Sequence, residues 1–488
     1  GRYRSCRTER ARLLLKQLIP DILTAFGDHD NPDAGFVKFD DFLSKLPSGV
    51  QLFSFIKAQP WLLELLALIT GIAPFLSNQL SRQPLLLDSV LSADLFEQNS
   101  SFETLSQSLD EQILTARDFQ DVLDIARKWA NEGKFQVGLQ LLRGTTDVVH
   151  FGETLAFIAE ISLNAMLNHV KKEFAKKHGV IEKSSLCILA MGKLGGHEFT
   201  TTSDVDMILI YDAEDMNALS SGPKQLTVNH YYARLSQNFI NSISALTGEG
   251  KLYEIDMRLR PSGTAGPLAV SIEGFNDYQT GQAWTWEHMA LTRGRVISGS
   301  KTLTGKIENG IYDILSHKGR DQDNLLHEVS KMRQKLVDNY TTDNIWAMKH
   351  TRGGIVDAEF ICQYLLLKHA NIKPDILSKN MLNQILELTK ARILTEITGQ
   401  KLYDACHLLQ SIQAMLRLCL GSTSKNDERS EALLSSIAEL LKCSPDDIEG
   451  LIIEKQKFIY DLYVEIIENP ALQMLTPEPT PPLDNSRK

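Results

Sequence analysis

The sequence predicts an α+β protein, mainly helical, in which a mixed sheet is flanked by N- and C-terminal helical bundles. Three observations support this class. In residues 1–175, apolar side chains recur at the three- and four-residue spacing of helices. Short apolar runs typical of buried strands are concentrated in residues 180–300. After Lys301 the helical spacing returns.

The N-terminal region has the pattern of a helical bundle. Residues 28–32 and 46–49 carry loop signals, and residues 61–75 predict a short core helix with its stop. Residues 122–142 contain apolar positions at helical spacing on both sides of an Asn-Glu-Gly stretch at 131–133. We therefore expect two helices there, separated by a break.

The central region changes character and predicts a sheet. Residues 185–190 form a short apolar run that ends near glycine, and residues 205–211 form a second. Residues 252–259 alternate polar and apolar side chains, which predicts a third strand with one solvated face. Between the last two, residues 228–245 have helix spacing. These segments predict an α/β unit with a mixed sheet.

The C-terminal part is predicted to be a helical bundle followed by a tail. Helical spacing continues to about Ile467, and prolines from Pro470 onward predict a tail that does not hold a helix. The predicted domains are a helical lead-in at 1–175, the α/β domain at 176–300, a helical bundle at 301–469 and a flexible tail at 470–488.

Composition excludes several classes of protein. The formal net charge of −10 argues against a broad nucleic-acid surface, and no apolar run long enough to span a membrane is present. Six cysteines without a CxxC pair fit reduced thiols in the cytoplasm. The chain opens on Gly1 without an apolar signal core, which predicts a fragment or a processed chain. We expect a cytoplasmic protein with neither a nucleic-acid nor a membrane partner.

The first candidate site residues are two acids at the start of the second predicted strand. Asp204 and Asp206 follow a Gly195-Gly196 turn and Ser203. Alternate residues of a strand share a face, so the two Cα atoms would lie roughly 6–7 Å apart. Carboxylates that close repel each other unless a cation lies between them, and oxygen ligands suit Mg²⁺. An Asp-x-Asp pair alone is more often a solvated strand end or turn.

A third acid lies on the third predicted strand. Glu254, Asp256, Arg258 and Arg260 would share its polar face. Asp256 could act as general base for an incoming hydroxyl or as a metal ligand, and the arginines could hold phosphates. The alternative is a cross-strand ladder of salt bridges, each of which contributes little.

Together these residues predict a magnesium-dependent nucleotidyltransferase of the polymerase-β type. Its catalytic and metal-binding residues would be Asp204, Asp206 and Asp256, with two Mg²⁺ ions in the site. We expect the nucleotide to be bound by Lys193, Gly195, Gly196, Ser203, Arg258 and Arg260.

Three further motifs leave alternatives open. The loop at 260–267 is either a wall beside the pocket or a plain hairpin connection. The segment 284–293 predicts a helix in which His288 is structural and the tryptophans are part of the core. At 349–360, Gly-Gly precedes a helix whose first-turn acids suit a cap, while the basic residues ahead of it could reach a phosphate.

Four of these motifs resemble one family. The segments 191–212, 253–271, 283–297 and 349–365 are similar to those of glutamine synthetase adenylyltransferase. That family comprises large bacterial enzymes with two similar nucleotidyltransferase halves. One half removes AMP from a tyrosine of glutamine synthetase by phosphorolysis, and the other attaches AMP from ATP. The resemblance extends from about residue 10 to 470.

The resemblance favours the C-terminal, adenylylating half. Residues 80–91 are similar to the helical lead-in of that half, and the chain ends where the family usually ends. The resemblance implies magnesium binding by the three acids, ATP and glutamine synthetase as substrates, and control by a PII signalling protein. His197 stands where the family often has arginine.

Three alternatives remain at this point. A phosphorolase that removes AMP would use the same acids with orthophosphate. A silent module that binds nucleotide or PII is disfavoured by the presence of all three acids. A nucleic-acid polymerase is disfavoured by the acidic net charge and the lack of a basic stripe.

Overall fold

The structure of the chain, a computed structural model, describes residues 3–27, 32–84, 86–87, 101–340, 342–421 and 429–475. These residues are mainly helical with a small mixed sheet, which confirms the predicted α+β class. The helices are α1 (Glu9–Gly27), α2 (Pro32–Lys45), α3 (Val50–Ala58), α4 (Pro60–Ile72), α5 (Pro74–Arg82), α6 (Phe102–Ile113), α7 (Phe119–Leu142), α8 (Val148–His178), α9 (Gly192–Gly195), α10 (Val228–Ser244), α11 (Ile272–Gly281), α12 (Thr285–Leu291), α13 (Lys301–Leu315), α14 (Gln322–Tyr340), α15 (Ile355–His369), α16 (Met381–Lys390), α17 (Glu396–Leu420), α18 (Glu431–Leu441), α19 (Ile448–Tyr463) and α20 (Asn469–Leu475).

The chain divides into two compact units. The first comprises Gly1–Tyr278, Arg293–Glu308 and Gln410–Leu451. The second comprises Gln279–Thr292, Asn309–Leu409 and Ile452–Lys488. The division falls inside α11, α13, α17 and α19, so it does not follow single stretches of sequence. The four consecutive domains predicted above stay a prediction.

The sheet belongs to the first unit. Its strands are β1 (Ser184–Ala190), β2 (Val205–Ala213), β3 (Ile255–Asp256), β4 (Ala269–Ser271) and β5 (Arg295–Val296). Along the sheet the order is β3-β2-β1-β5, and β4 also pairs with β2. β1 is antiparallel to β2 and β5, whereas β3 and β4 are parallel to β2. The predicted mixed sheet is therefore confirmed.

The long runs of apolar residues explain why β1 and β2 form the centre of the sheet. Residues 186–190 of β1 and 207–211 of β2 are all buried, so side chains on both faces leave water. α10 contacts β2, β3 and β4 through an amphipathic face that includes Leu235 and Phe239. The core of the first unit continues into the packing of α7 against α8.

The expected break at residues 131–133 is wrong. α7 runs unbroken through Gly133, which is buried inside the helix. A glycine in a helix interior costs only about 1 kcal/mol relative to alanine. The neighbouring Asn131 donates its Nδ2 hydrogen to the carbonyl of Glu249 at 3.2 Å. Tertiary contacts therefore outweigh the local signal for a break.

The expected non-helical tail is wrong for its first residues. α20 includes Pro470, and it follows a π-helical turn at Val464–Glu468. The helical backbone is continuous from Ile448 to Leu475, and the π-helical turn just before Pro470 marks the place where the regular α-helical hydrogen bonding is interrupted, as a residue without an N–H requires. The remaining prolines of the predicted tail, and the loop at 28–31, lie outside the described residues.

The predicted helix around Trp284 is confirmed as α12, but one part of its interpretation is wrong. Trp284 caps the helix and its side chain is 64% exposed, so it is not a core residue. His288 bonds the carbonyl of Gln279 through Nε2 at 2.9 Å, and its Nδ1 lies 3.1 Å from Arg320 Nη1. These partners fit the structural role expected for His288.

The helices were also compared with the dimensions of a membrane span. In the described part of the chain, no single helix is long and apolar enough to cross a bilayer. One bent pair, α3 with α4 at 112°, would qualify by length and composition alone.

Candidate functional site

Two of the three predicted acids are neighbours in the sheet. Asp206 on β2 is the register partner of Asp256 on β3, and the strands are parallel. Adjacent strands lie about 4.8 Å apart, so two carboxyl-bearing positions that are 50 residues apart in the sequence lie side by side in the sheet. The Val205 N–H donates to the carbonyl of Glu254 at 2.9 Å and holds this pairing. Asp204 is exposed at the residue just before β2.

The third strand is shorter than predicted. The sequence predicts a strand over residues 252–259, but β3 contains only Ile255 and Asp256. The Arg258 N–H donates to Asp256 Oδ1 at 2.8 Å, which turns the chain immediately after the acid. The idea that Arg258 and Arg260 continue the face of Asp256 along a strand is therefore wrong. A cross-strand ladder is excluded as well, because the ion pair closes a turn.

Arg258 and Arg260 both have partners close by in the chain. Arg258 donates from Nε to Asp256 Oδ2 at 2.8 Å, and its hydrogen bonds hold the pKa of Asp256 below the ordinary value although burial raises it. Arg260 donates from Nη1 to the carbonyl of Met257 at 2.8 Å and from Nε to that of Gly266 at 3.3 Å. Arg260 thus fastens its own loop. Phosphate binding by either arginine stays a prediction.

The turn that contains Gly195 and Gly196 approaches Asp206 through Gly192, a residue that the sequence analysis did not single out. Gly192 begins α9 with φ at +54°, and a Cβ there would lie 2.5 Å from Asp206 Oδ2. The Met191 N–H donates to the backbone carbonyl of Asp206 at 2.9 Å. Only a glycine combines this left-handed conformation with such a close approach. The turn therefore forms one wall of the acidic site.

Gly195 and Gly196 have a different role from the one expected. Their N–H groups donate inside the short helix, to the carbonyls of Met191 at 3.0 Å and Gly192 at 3.1 Å. A Cβ on Gly195 would lie 1.9 Å from the carbonyl oxygen of Arg293. Gly195 is thus required for close packing against the chain before β5. Contact of these two glycines with phosphates stays a prediction.

Arg293, which precedes β5, and Arg295, which begins it, support the turn that contains Gly195 and Gly196. Arg295 donates from Nε to the carbonyl of Gly195 and from Nη2 to that of Leu194, both at 3.2 Å. Its Nη1 bonds Glu160 Oε2 at 2.5 Å. Arg293 pairs with Glu198 where both side chains are largely buried. Arg295 thus satisfies carbonyls at the C-terminal end of α9.

Ser203 and Lys193 hold the loop that leads to Asp204. Ser203 Oγ accepts from the Thr200 N–H at 3.0 Å and lies 2.7 Å from Thr200 Oγ1. Lys193 donates from Nζ to Gln413 Oε1 at 2.9 Å. His197, whose φ is +58°, packs edge-on against Phe157. The nucleotide-binding roles of Ser203 and Lys193 stay predictions.

Comparison with known proteins gives the family. The family model described as Glutamate-ammonia ligase adenylyltransferase matches residues 63–310, about half of the chain. A bifunctional glutamine synthetase adenylyltransferase/adenylyl-removing enzyme of Bradyrhizobium sp. (strain BTAi1 / ATCC BAA-1182) is 36% identical over 470 residues, which are 96% of this chain and 48% of the relative. The chain belongs to the glutamate-ammonia ligase adenylyltransferase family.

Other relatives in this family carry the same printed name. The protein of Brucella melitensis biotype 1 is 41% identical over 75% of this chain and 37% of its own length. The protein of Mesorhizobium japonicum is 37% identical over 88% of this chain and 43% of its own length. The chain thus spans about half the length of the curated relatives it matches.

The candidate acids of this member of the adenylyltransferase family meet part of the requirements for binding a divalent cation. Asp206 and Asp256 offer hard oxygen ligands side by side, and Arg258 now supplies the positive charge at Asp256. In the part of the chain that the structure describes, no group of three or more His, Cys, Asp or Glu side chains is arranged to hold a metal ion. Joint ligation by all three acids therefore stays a prediction.

The motif at residues 349–360 lies in the second unit. Its contacts agree with the interpretation that its acids cap a helix. Asp357 is fully buried in the first turn of α15 and accepts from the Gly353 N–H at 2.5 Å. Arg333 donates to its Oδ1 at 2.5 Å and Arg352 at 3.1 Å. Arg352 also bonds Glu468 at 2.9 Å. The carboxylate of Asp357 thus occupies the place that an external anion would take.

Several residues near the acids were missed by the sequence reasoning. Arg295 and Glu160 lie 135 positions apart, and Gln413 and Arg417 lie more than 200 positions from Lys193. For Arg295, and for Gln413 with Arg417, the sequence contains a feature that could have indicated the residues. Arg-Gly-Arg at 293–295 is a charged stretch beside a strand, and α17 carries two polar residues four apart among buried apolar ones.

Proposed function

We propose that the site of Asp204, Asp206 and Asp256 transfers AMP from ATP to a tyrosine of glutamine synthetase with Mg²⁺ as cofactor. The register of Asp206 opposite Asp256 carries the proposal, since it brings two carboxylates to one sheet edge. The names of the relatives supply the protein substrate. A sheet of the polymerase-β nucleotidyltransferase type is part of the proposal, supported by the mixed strand order around the acids.

The three carboxylates would hold the magnesium. When bound, magnesium supplies positive charge that offsets the charge of the phosphates and steadies the attacking and leaving oxygens. The tyrosine oxygen attacks the α-phosphorus and gives up its proton, and the bond between the α-phosphorus and the pyrophosphate oxygen breaks. Gly192 has no side chain, so the Asp206 carboxylate can pack directly against the backbone of the turn and keep its place in the site.

The pKa of Asp256 favours one of its two suggested roles. Because Arg258 lowers this pKa, the carboxylate stays ionised and is a weak proton acceptor. A ligand must be ionised, whereas a general base works best with a pKa near the operating pH. The ionised carboxylate suits the role of a ligand, and the tyrosine proton would then pass to solvent.

Two further aspects belong to the same proposal. The enzyme would act in the cytoplasm, as buried cysteines that form no disulfide, such as Cys187 and Cys419, suit a reducing compartment. Control by a PII signalling protein rests on the family resemblance alone.

Transfer of labelled AMP tests the proposal. The 488-residue chain would be incubated with α-labelled ATP, Mg²⁺ and purified glutamine synthetase in the absence of phosphate. Label on glutamine synthetase, lost when its target tyrosine is replaced by phenylalanine, is the expected result. If no label is transferred under these conditions, the proposed direction is wrong.

Removal of AMP is the second candidate, favoured by the words "adenylyl-removing enzyme" in the names of the relatives. Orthophosphate would then attack the phosphorus of the AMP-tyrosine and release ADP with restored tyrosine. Incubation of AMP-modified glutamine synthetase with phosphate and Mg²⁺ separates the two. ADP release without AMP transfer assigns this candidate, and the lack of both reactions points to a silent nucleotide- or PII-binding module.

A further inference from the structure

One face of α7 carries polar side chains that all donate hydrogen bonds to the same stretch of chain. Arg127, Asn131 and Lys134 are four and three residues apart, so they share a face of the helix. Their acceptors are backbone carbonyls in the last turn of α10 and in residues 245–254. We call residues 245–254 the β3 connection, because they lead from the end of α10 to the strand of Asp256. Helix, connection and strand all belong to the first unit.

Arg127 joins the end of α10 to the middle of the β3 connection. It donates from Nε to the carbonyl of Gly250 at 2.9 Å, and from Nη2 to the carbonyls of Ser242 at 2.7 Å and Ala245 at 2.9 Å. Its side chain is fully buried. The guanidinium thus satisfies carbonyls that the C-terminal end of α10 leaves without a helical partner. Its planar fork of donors reaches both segments at once, which a lysine cannot do.

Asn131 and Lys134 contact the later part of the β3 connection. Asn131 donates from Nδ2 to the carbonyl of Glu249, and Lys134 donates from Nζ to the carbonyl of Leu252, both at 3.2 Å. The Lys134 ammonium also lies 3.8 Å from the centroid of the Tyr253 ring. The contacts of α7 therefore extend to the second residue before β3.

β3 is too short to fix this part of the chain by itself. It comprises Ile255 and Asp256, and the Val205 N–H donates to the carbonyl of Glu254 just before them at 2.9 Å. The β3 connection, which the structure describes throughout, forms turns and an isolated bridge rather than a helix or a strand. A segment with few fixed contacts opens at a low cost in free energy. The place of Asp256 must therefore be set in large part by what holds the connection.

We propose that Arg127, Asn131 and Lys134 are positioning residues, which set the place of Asp256 beside Asp206 by fixing the β3 connection. The inference rests on the proposed function, in which both acids bind the magnesium of the nucleotide. A misplacement of about 1 Å in an active site can cost on the order of 100-fold in rate. The three side chains act through the backbone of the connection, so their loss should lower kcat more than KM for glutamine synthetase.

Hydrogen exchange and kinetics of Lys134→Met test the inference on the full chain. Methionine keeps the apolar stem but cannot donate to the carbonyl of Leu252. The amides of Val205 and Leu252, which bond the carbonyls of Glu254 and Ile243, should exchange at least about tenfold faster, while those of β1 should not change. The kcat for transfer of AMP from ATP to glutamine synthetase should fall about tenfold or more at unchanged KM.

Lys128→Met is the matched control, because Lys128 lies on the same helix and its side chain is 51% exposed. It should match wild type in exchange and in kinetics. The melting temperature of each protein would be measured as well. In Lys134→Met the lost hydrogen bond is offset because a buried ammonium is removed, so we expect a melting temperature close to that of wild type. A lower kcat at unchanged stability is not an effect of general destabilisation.

A second variant covers the case in which Lys134→Met does not fold. Asn131→Asp keeps the shape of the side chain but places a carboxylate against the carbonyl of Glu249, and Asn238→Asp adds the same charge at an exposed position of α10 as its control. The same changes in exchange and kcat are expected for Asn131→Asp. Unchanged exchange at Val205, or unchanged kcat, in the folded variants overturns the inference. If wild type transfers no AMP, the proposed function fails, and the exchange measurement still decides whether α7 positions the strand.

Discussion

Asp206 lies directly across from Asp256 in a parallel strand pair, and the backbone of Gly192 closes against the Asp206 carboxylate. The pair is held by backbone hydrogen bonds of β2 and β3 and does not depend on a bound ion. Substitution of either acid should therefore leave the strands in place.

Asp206→Asn should reduce transfer of AMP by at least about a hundredfold, because the amide removes one charged ligand while it keeps the shape. Asp212→Asn is the matched control, since Asp212 lies at the other end of the same strand and pairs with Lys306 at 2.5 Å. Radiolabel transfer and melting temperature would be measured for both. Near-normal transfer by Asp206→Asn would remove Asp206 from the site.

Gly192→Ala should lower both stability and transfer. The left-handed backbone strains any non-glycine residue by about 1–2 kcal/mol, and the new methyl group would collide with the Asp206 carboxylate. Gly144→Ala separates the two effects, because Gly144 has φ at +64° with open space around its Cβ position. The control should lose similar stability, measured by urea unfolding, yet keep its transfer activity. Equal activities for the two variants would contradict a role of Gly192 at the acid.

Arg295→Lys should impair the glycine turn while the charge is retained. Lysine cannot reach Glu160 and the carbonyls of Leu194 and Gly195 at once, because it lacks the guanidinium fork. We expect kcat for transfer to fall about tenfold or more, with a smaller change in KM for glutamine synthetase.

The control for this change is Lys45→Ala, which breaks an exposed pair with Asp41. An exposed pair contributes at most about 1 kcal/mol, so its activity and melting temperature should hardly change. An Arg295→Lys protein with wild-type kinetics would show that the three hydrogen bonds do not position the turn.

Lys134 should make stability depend on pH. Its ammonium lies over the ring of Tyr253, 3.8 Å from the ring centroid, and burial lowers its pKa from 10.5 to about 7. Between these values the unfolded chain binds more protons than the folded one, so stability rises with pH across this window. The maximum slope is about 1.4 kcal/mol per pH unit.

Lys134→Met removes the titrating group and keeps the apolar stem. The free energy of unfolding of wild type minus that of the variant should therefore rise from pH 7 to about pH 10. Buried thiols such as Cys419, whose pKa burial raises to about 12, act in the opposite direction but equally in both proteins. A difference that does not change with pH would contradict the lowered pKa of Lys134.

Much of the fold was predictable because local patterns and tertiary packing agree in it. The apolar runs of β1 and β2 and the amphipathic spacing of α10 all appear where the sequence places them. Asp204 and Asp206 could be located at a strand start for the same reason. The failures at Gly133 and Pro470 have a common feature: each residue disfavours a helix locally, but the helix continues through Gly133 in a buried position and through Pro470 after a π-helical turn.

The sequence by itself determined the class of the fold, the strand that carries the two neighbouring acids, and the family resemblance through its long motifs. Those features depend on side-chain periodicity and on residues close together in the chain. Tertiary structure alone decided that β3 stops at Asp256, that Gly192 is the glycine at the acid, and that Arg295 and Arg417 reach the turn and the loop. The contacts of Arg295 and Arg417 join residues 100 and 216 positions apart, and neither periodicity nor spacing encodes which distant residues will meet.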